Sequence, residues 1–184
     1  MNSTKPIYSL HLGIAERGKL YAIEGNYKEA LRHYREAIRM TQQQRDSEIF
    51  FQHYSQCVME ALELSGAHDE VINYCEKFIA FLDEKEDSEL LAKYYAAILE
   101  KMAIQYLLKE DKREALQILK LAQSKTGKGK HLLTDELLNW VQRGFTISKK
   151  QIMDLQKKHN YFIVRKDKIN TQIAIDLPQA ITPF

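Results

Sequence analysis

The chain has 184 residues, 45% of them apolar and 28% charged, the size and make-up of one ordinary domain or a short repeat array. Seven glycines and three prolines are too few for a turn-rich β-sandwich or barrel, or for a disordered chain. The net charge of +2 conceals a split: residues 1–124 carry 16 Lys/Arg against 20 Asp/Glu, whereas residues 125–168 carry 11 against 4, which suggests two functional regions.

Apolar periodicity predicts helices over 9–24, 27–43, 47–65, 69–83, 89–109 and 112–125. Gly25 is placed as a C-cap, and Asn26 as the N-cap of the second helix, with Glu29 three residues on. Tyr27, Ala30, Leu31, Tyr34, Ala37 and Ile38 then form one apolar stripe. Gly18 allows a close helix approach. Ser88 and Asp111 are the expected caps of the fifth and sixth helices. The loop SKTGKGK (124–130) is a break. Thr134 is read as opening a helix that Gly144 ends near Arg143, and Ser148 with Gln151 as a capping box for another to about His159. These last two helices are expected to cap the array by burying Leu137, Leu138, Trp140, Val141, Ile152 and Leu155. From Tyr161 the period changes. YFIV is a β-type run, and Ile169, Thr171, Ile173, Ile175 and Leu177 alternate with other residues as a half-buried strand does. RKDK is the candidate turn of a hairpin, and an isolated hairpin needs a body or another chain to rest on.

Three stretches share one layout of a long helix, a tight break and a second helix: residues 14–38, 57–79 and 99–122. Aligning the breaks puts Gly25, Gly66 and Glu110 in register. The first stretch, through Gly18, Tyr21, Gly25, Tyr27, Ala30, Tyr34 and Ala37, resembles the tetratricopeptide repeat. The third keeps Ala103, Tyr106, Ala115, Leu119 and Ala122 at corresponding places, and the second has Met59, Leu62, Gly66, Val71, Cys75 and Phe78 there. Separations of 41 and 44 residues exceed that family's period and imply longer helices or links. The resemblance covers about residues 9–124. The expected fold is therefore all-α: a tetratricopeptide-like stack of antiparallel helix pairs, about eight helices, with a short C-terminal β-type extension. Its expected organisation is three hairpins over 1–124, a basic loop and capping pair over 125–160, and an extended or β-hairpin tail over 161–184.

Catalytic chemistry finds little support in the sequence. The loop KTGKGK lacks the Gly-Lys-Ser/Thr ending and the strand-to-helix junction of a phosphate cradle. Six histidines (11, 33, 53, 68, 131 and 159) show no HExxH or zinc spacing and read as surface or packing residues. Cys57 and Cys75 read as core thiols, too few for a disulfide framework. No GxSxG occurs. Tyr21, Tyr27, Tyr34, Tyr94, Tyr95, Tyr106 and Trp140 read mostly as packing aromatics. No enzyme activity, metal or cofactor is expected. The opening MNSTKPIYSL lacks the layout of a signal peptide and no apolar run approaches the ~18 residues of a membrane span, so a cytoplasmic setting without membrane contact is expected.

What the resemblance implies is a concave surface lined by the first helix of each unit. By register it holds Leu12, Ala15, Lys19 and Ile23, then His53, Gln56, Glu60 and Leu64, then Ala97, Glu100, Ile104 and Leu108. Ala15 and Lys19 stand where chaperone-tail-binding members carry a Lys and Asn clamp, so that clamp is not present. The middle of the surface is acidic and would suit an apolar or basic segment, the chain's own C-terminal region being one candidate. The expected function is a non-catalytic protein–protein interaction adaptor or assembly subunit whose partner is another protein or neighbouring copies of itself. A component of a larger machine, such as a phage-like or secretion assembly, fits this. The tail, through Phe162, Val164, Ile169, Thr171, Ile173, Ile175 and Leu177, is expected to bind the partner by strand addition. One alternative is nucleic-acid binding through the basic 125–168 region, against which stand scattered lysines and no accompanying motif. Another is a secretion-type chaperone or peptide-sensing regulator.

Overall fold

The computed structural model describes residues 8–43 and 48–179. Residue 47, expected to open the third helix, and residues 180–184 of the tail lie outside the described residues. Among the described residues the chain forms eight α-helices and no β-strand. They are α1 (Tyr8–Ile23), α2 (Tyr27–Gln43), α3 (Glu48–Leu64), α4 (His68–Asp83), α5 (Glu89–Leu108), α6 (Lys112–Thr126), α7 (Leu132–Gln142) and α8 (Lys149–Lys158). A single 3-10 turn follows at Lys166–Lys168. Each helix lies within two residues of its expected bounds, and none is long and apolar enough to cross a membrane.

The chain divides into two compact units: the described parts of Met1–Ser65 together with Ile163–Phe184, and Gly66–Phe162. Within each, helices pack mainly on their neighbours in sequence, with α8 resting on α5, the arrangement of a helical-repeat fold.

In the first unit α2 packs against both α1 and α3. Its stripe is buried as the spacing requires, with Ala30, Tyr34 and Ala37 fully enclosed. Gly18 of α1 permits this approach, because a Cβ there would stand 2.8 Å from the Tyr34 ring. At the turn between α1 and α2, Gly25 N–H donates to the Ala22 carbonyl at 3.1 Å and Asn26 N–H to the Tyr21 carbonyl at 2.8 Å. This Schellman closure needs a left-handed residue at Gly25, whose φ is +78°. Gly66 and Glu110, aligned with it by sequence, have φ of +83° and +65°. Asn26 Oδ1 accepts from Glu29 N–H at 3.3 Å, but the Glu29 side chain turns to Arg32, leaving the capping box half made.

In the second unit α5 packs against α4 and α6, and α6 against α7. Ser88, Asp111 and Ser148 cap α5, α6 and α8, the last in a complete capping box with Gln151. The core joins Ala103, Ile104, Leu107, Ala115 and Leu119 to Leu133, Leu137, Leu138, Val141, Ile152 and Leu155, with Trp140 packed on it. Each enclosed Leu or Ile contributes roughly 1.5–3 kcal/mol relative to exposure, so α7 and α8 are held by this seam. α7 begins at Leu132, two residues before the expected Thr134, because its first turn is capped from elsewhere. Glu100 of α5 accepts from Thr134 N–H at 3.0 Å and from Thr134 Oγ1 at 2.6 Å.

The expected β-type extension is absent among the described residues. RKDK does form a turn, with Lys168 N–H donating to the Arg165 carbonyl at 2.9 Å, but the flanking runs form no ladder. The alternating residues do not form one covered face either: the chain turns at 171–173, leaving Thr171 and Ile173 exposed, and only Ile169, Ile175 and Leu177 are partly covered. Residues 163–178 belong with α1, α2 and α3.

Candidate protein-binding site

The first helical hairpin holds an extended segment of the chain's own tail through both backbone and side chains. At its start the buried carboxylate of Glu60 on α3 accepts from Ile163 N–H at 2.8 Å and Val164 N–H at 3.2 Å. Glu16 on α1 accepts from Asn170 N–H at 2.7 Å through one oxygen and from Lys19 Nζ at 2.7 Å through the other. Buried carboxylates need such donors, since an unpartnered charge out of water is costly.

Further along, Ile175 N–H donates to the Gly13 carbonyl at 2.9 Å. Ile175 and Leu177 pack with Leu12 on the cluster of Ile14, Ala15, Ala37 and Tyr54. Between them Asp176 points to a cluster of donors. Arg17 Nε donates to it at 3.0 Å and Tyr21 OH at 2.9 Å, and His33 Nε2 lies 3.0 Å from its other oxygen. Arg32 Nη1 then donates to the Pro178 carbonyl at 2.8 Å. Burial would push the Asp176 carboxyl up, but the hydrogen bonds from Tyr21, Arg17 and His33 and the Arg17 charge outweigh it and hold it below its ordinary value.

His33 is fully buried beside the segment. Its Nδ1 lies 2.8 Å from the Glu29 carbonyl, which only accepts, so Nδ1 carries a proton. In the neutral ring Nε2 accepts from Leu177 N–H at 3.2 Å; in the charged ring it donates to Asp176.

Of the expected groove residues in this unit, Glu60 and Lys19 lie in or beside the tail contacts, and Leu12 packs with the tail's apolar side chains. Ala15 is core, and Ile23 is exposed. His53, Gln56 and Leu64 are half-buried, and burial first, then the Lys19 charge, lowers the His53 pKa. In the second unit Ala97 is exposed and Glu100 caps α7. Ile104 is enclosed in the core, and Leu108 packs on it. Among the tail residues, Val164 is buried and Ile169 half-buried, Thr171 and Ile173 are exposed, and Phe162 stacks edge-on to Tyr161 in the second unit.

The sequence reading does not single out Gly13, Arg17 or Arg32, and it places Tyr21 and His33 among packing residues. The signal for Arg17 and Tyr21 is their i, i+4 spacing, which puts both on one face of α1. His33 joins them only once the hairpin closes. Gly13 carries no local signal of its contact: an isolated glycine in a helical pattern is merely tolerated at a cost.

Cys57 and Cys75 are free and buried, and burial pushes the Cys57 thiol up to about 12, so it stays protonated. Tyr34 OH has no hydrogen-bond partner among the described residues, and burial first raises its pKa. No group of His, Cys, Asp or Glu suited to a metal occurs among the described residues. In the basic region Lys125 lies over the Tyr95 ring at 4.0 Å, and Lys158 pairs with Glu136 at 2.5 Å.

Fold and site together define a fold of helical-repeat type, all-helical among the described residues, with a tail segment held by α1, α2 and α3. No protein-family model matches the chain, and no curated protein or solved structure matches it.

Proposed function

We propose that this chain is a non-catalytic protein-interaction adaptor or assembly subunit of tetratricopeptide type, whose first hairpin binds extended polypeptide. The observation that carries this reading is the set of contacts around residues 163–178. Five backbone N–H groups of that segment, at residues 163, 164, 170, 175 and 177, find acceptors on α1, α2 and α3. Two apolar side chains and one carboxylate are also received in defined places. Backbone contacts supply affinity without regard to sequence, and side-chain places supply selectivity. In this state the N–H groups of Asn170, Ile175 and Leu177 are already engaged, so strand addition to a partner would require release of the tail.

The test is binding in trans. A full-length Ile175→Asp variant, whose tail no longer seats on Ile14 and Tyr54, should bind a labelled synthetic peptide of residues 163–179, while the unaltered protein binds it far more weakly. No binding to the variant, with its helicity intact, would remove this reading.

A further inference from the structure

Each chain carries both halves of one contact: a seat on α1, α2 and α3, and the residues 163–178 that fill it. The two halves are far apart in sequence. The first unit breaks off at Ser65, the chain then builds the whole second unit, and it re-enters the first at Ile163. The tail adds little to the core of the unit it completes. Among its described residues Val164 alone is buried, whereas Ala30, Tyr34 and Ala37 are enclosed where α2 packs on α1 and α3. The tail can therefore leave without taking the helical core with it. The seat is matched to the tail's own residues. The Gly13 carbonyl receives the Ile175 N–H at 2.9 Å, Arg17 Nε holds the Asp176 carboxylate at 3.0 Å, and Arg32 donates to the Pro178 carbonyl at 2.8 Å. A second copy presents the same groups in the same order, so each of these contacts can be made between chains as well as within one.

We propose that residues 163–178 of one copy seat in the first unit of a second copy, so that chains join by exchange of tails. This rests on the reading of the first hairpin as a binder of extended polypeptide and goes beyond it by naming the partner. Exchange of an identical element neither adds nor removes a tail contact, which makes it an accessible route to association. Effective concentration separates the two arrangements. A tethered tail faces its own seat at an effective concentration on the order of millimolar. Joining therefore prevails where copies are crowded together, or where the seat within the same chain rejects its own tail.

Two full-length charge-reversed variants test this. In Arg17→Asp the seat repels the chain's own Asp176, and in Asp176→Arg the tail is repelled by its own Arg17. In a mixture, the unaltered tail of the first variant meets the unaltered seat of the second. The two reversed residues also face each other with opposite charge. Size-exclusion chromatography with light scattering should give the mass of one chain for each variant alone and twice that mass for the mixture, with the helicity of both retained. Gly13→Ala, which closes the seat by bulk instead of charge, should also pair with Asp176→Arg and stands in if Arg17→Asp does not fold. A mixture that keeps the mass of one chain, while Asp176→Arg binds a labelled peptide of residues 163–179 at the same concentration, would overturn tail exchange and leave the peptide-binding reading in place. A doubled mass for either variant alone would place the association on another surface and also overturn the proposal. Failure of both the mixture and the peptide would remove both readings.

Discussion

The Ile175 N–H donates to the Gly13 carbonyl at 2.9 Å, a contact between an extended chain and the middle of a helix. It is possible because residue 13 has no side chain. A Cβ there would stand 2.7 Å from Ile175 Cδ1 and closer still to the Ile173 carbonyl oxygen, both inside van der Waals contact. Gly13→Ala should therefore expel the tail while favouring α1 itself, since Ala is the better helix former by about 1 kcal/mol. The expected outcome is unchanged or slightly raised helicity with rapid proteolysis between residues 163 and 179. A tail as resistant as in the unaltered protein would show that the contact does not control docking.

Acid should release the same segment. The Asp176 carboxyl is held below its ordinary value when docked, so docking binds its ionised form more strongly than its protonated form. A depressed carboxylate contributes above the unperturbed pKa and ceases to contribute as pH falls through the lowered one. The protection of the Leu177 amide, its exchange rate relative to that of an unstructured peptide at the same pH, should fall below about pH 4. In Asp176→Asn the exchange should be faster at neutral pH, and that added fall in protection should be absent. An identical acid step in both proteins would assign the release to other groups.

Eight helices and their bounds were legible because stripe, cap and break coincide in the sequence. Ser148 with Gln151 is a cap written within four residues, and it forms as read. The alignment put Gly25, Gly66 and Glu110 at equivalent breaks, and all three take left-handed φ, although only Gly25 was expected to. What was not legible depends on distant partners. α7 starts early because Glu100, over thirty residues away, satisfies its first turn. The alternation at 169–177 carries the period of an extended chain, but its acceptors are Glu16, Gly13 and His33, which no local pattern specifies. Glu60 was singled out by register alone, and its role as acceptor for Ile163 and Val164 required the fold.

Glu110 offers a stabilising substitution. It occupies the left-handed position of a Schellman closure, with its own N–H donating to the Leu107 carbonyl at 3.0 Å and Asp111 N–H to the Tyr106 carbonyl at 2.8 Å. A side chain at φ +65° is strained where glycine is not. Glycine also gives the unfolded chain more freedom, which offsets part of the relief. Glu110→Gly should raise stability by about 0.5 kcal/mol, read as a higher midpoint of urea unfolding with an unchanged slope. A lower midpoint would mean that the Glu110 side chain contributes more than its backbone costs.

The Glu100 carboxylate supports the second unit through one end of α7. It receives both the N–H and the hydroxyl of Thr134, and Thr134 is fully buried. Glu100→Ala leaves those two donors without an acceptor at a helix N-terminus, where negative charge is also favoured by the backbone dipole. The loss should be about 2 kcal/mol, typical of a buried donor deprived of a charged partner. Glu100→Gln, which retains an acceptor oxygen but not the charge, should lose less. Because α7 contributes Leu133, Leu137 and Leu138 to the shared core, the loss should appear as unfolding of the whole unit, not as fraying of α7 alone. Urea unfolding followed at Trp140 of α7 and by far-ultraviolet circular dichroism checks this: coincident, lowered midpoints are expected, and a Trp140 transition that precedes the helical one would confine the effect to α7.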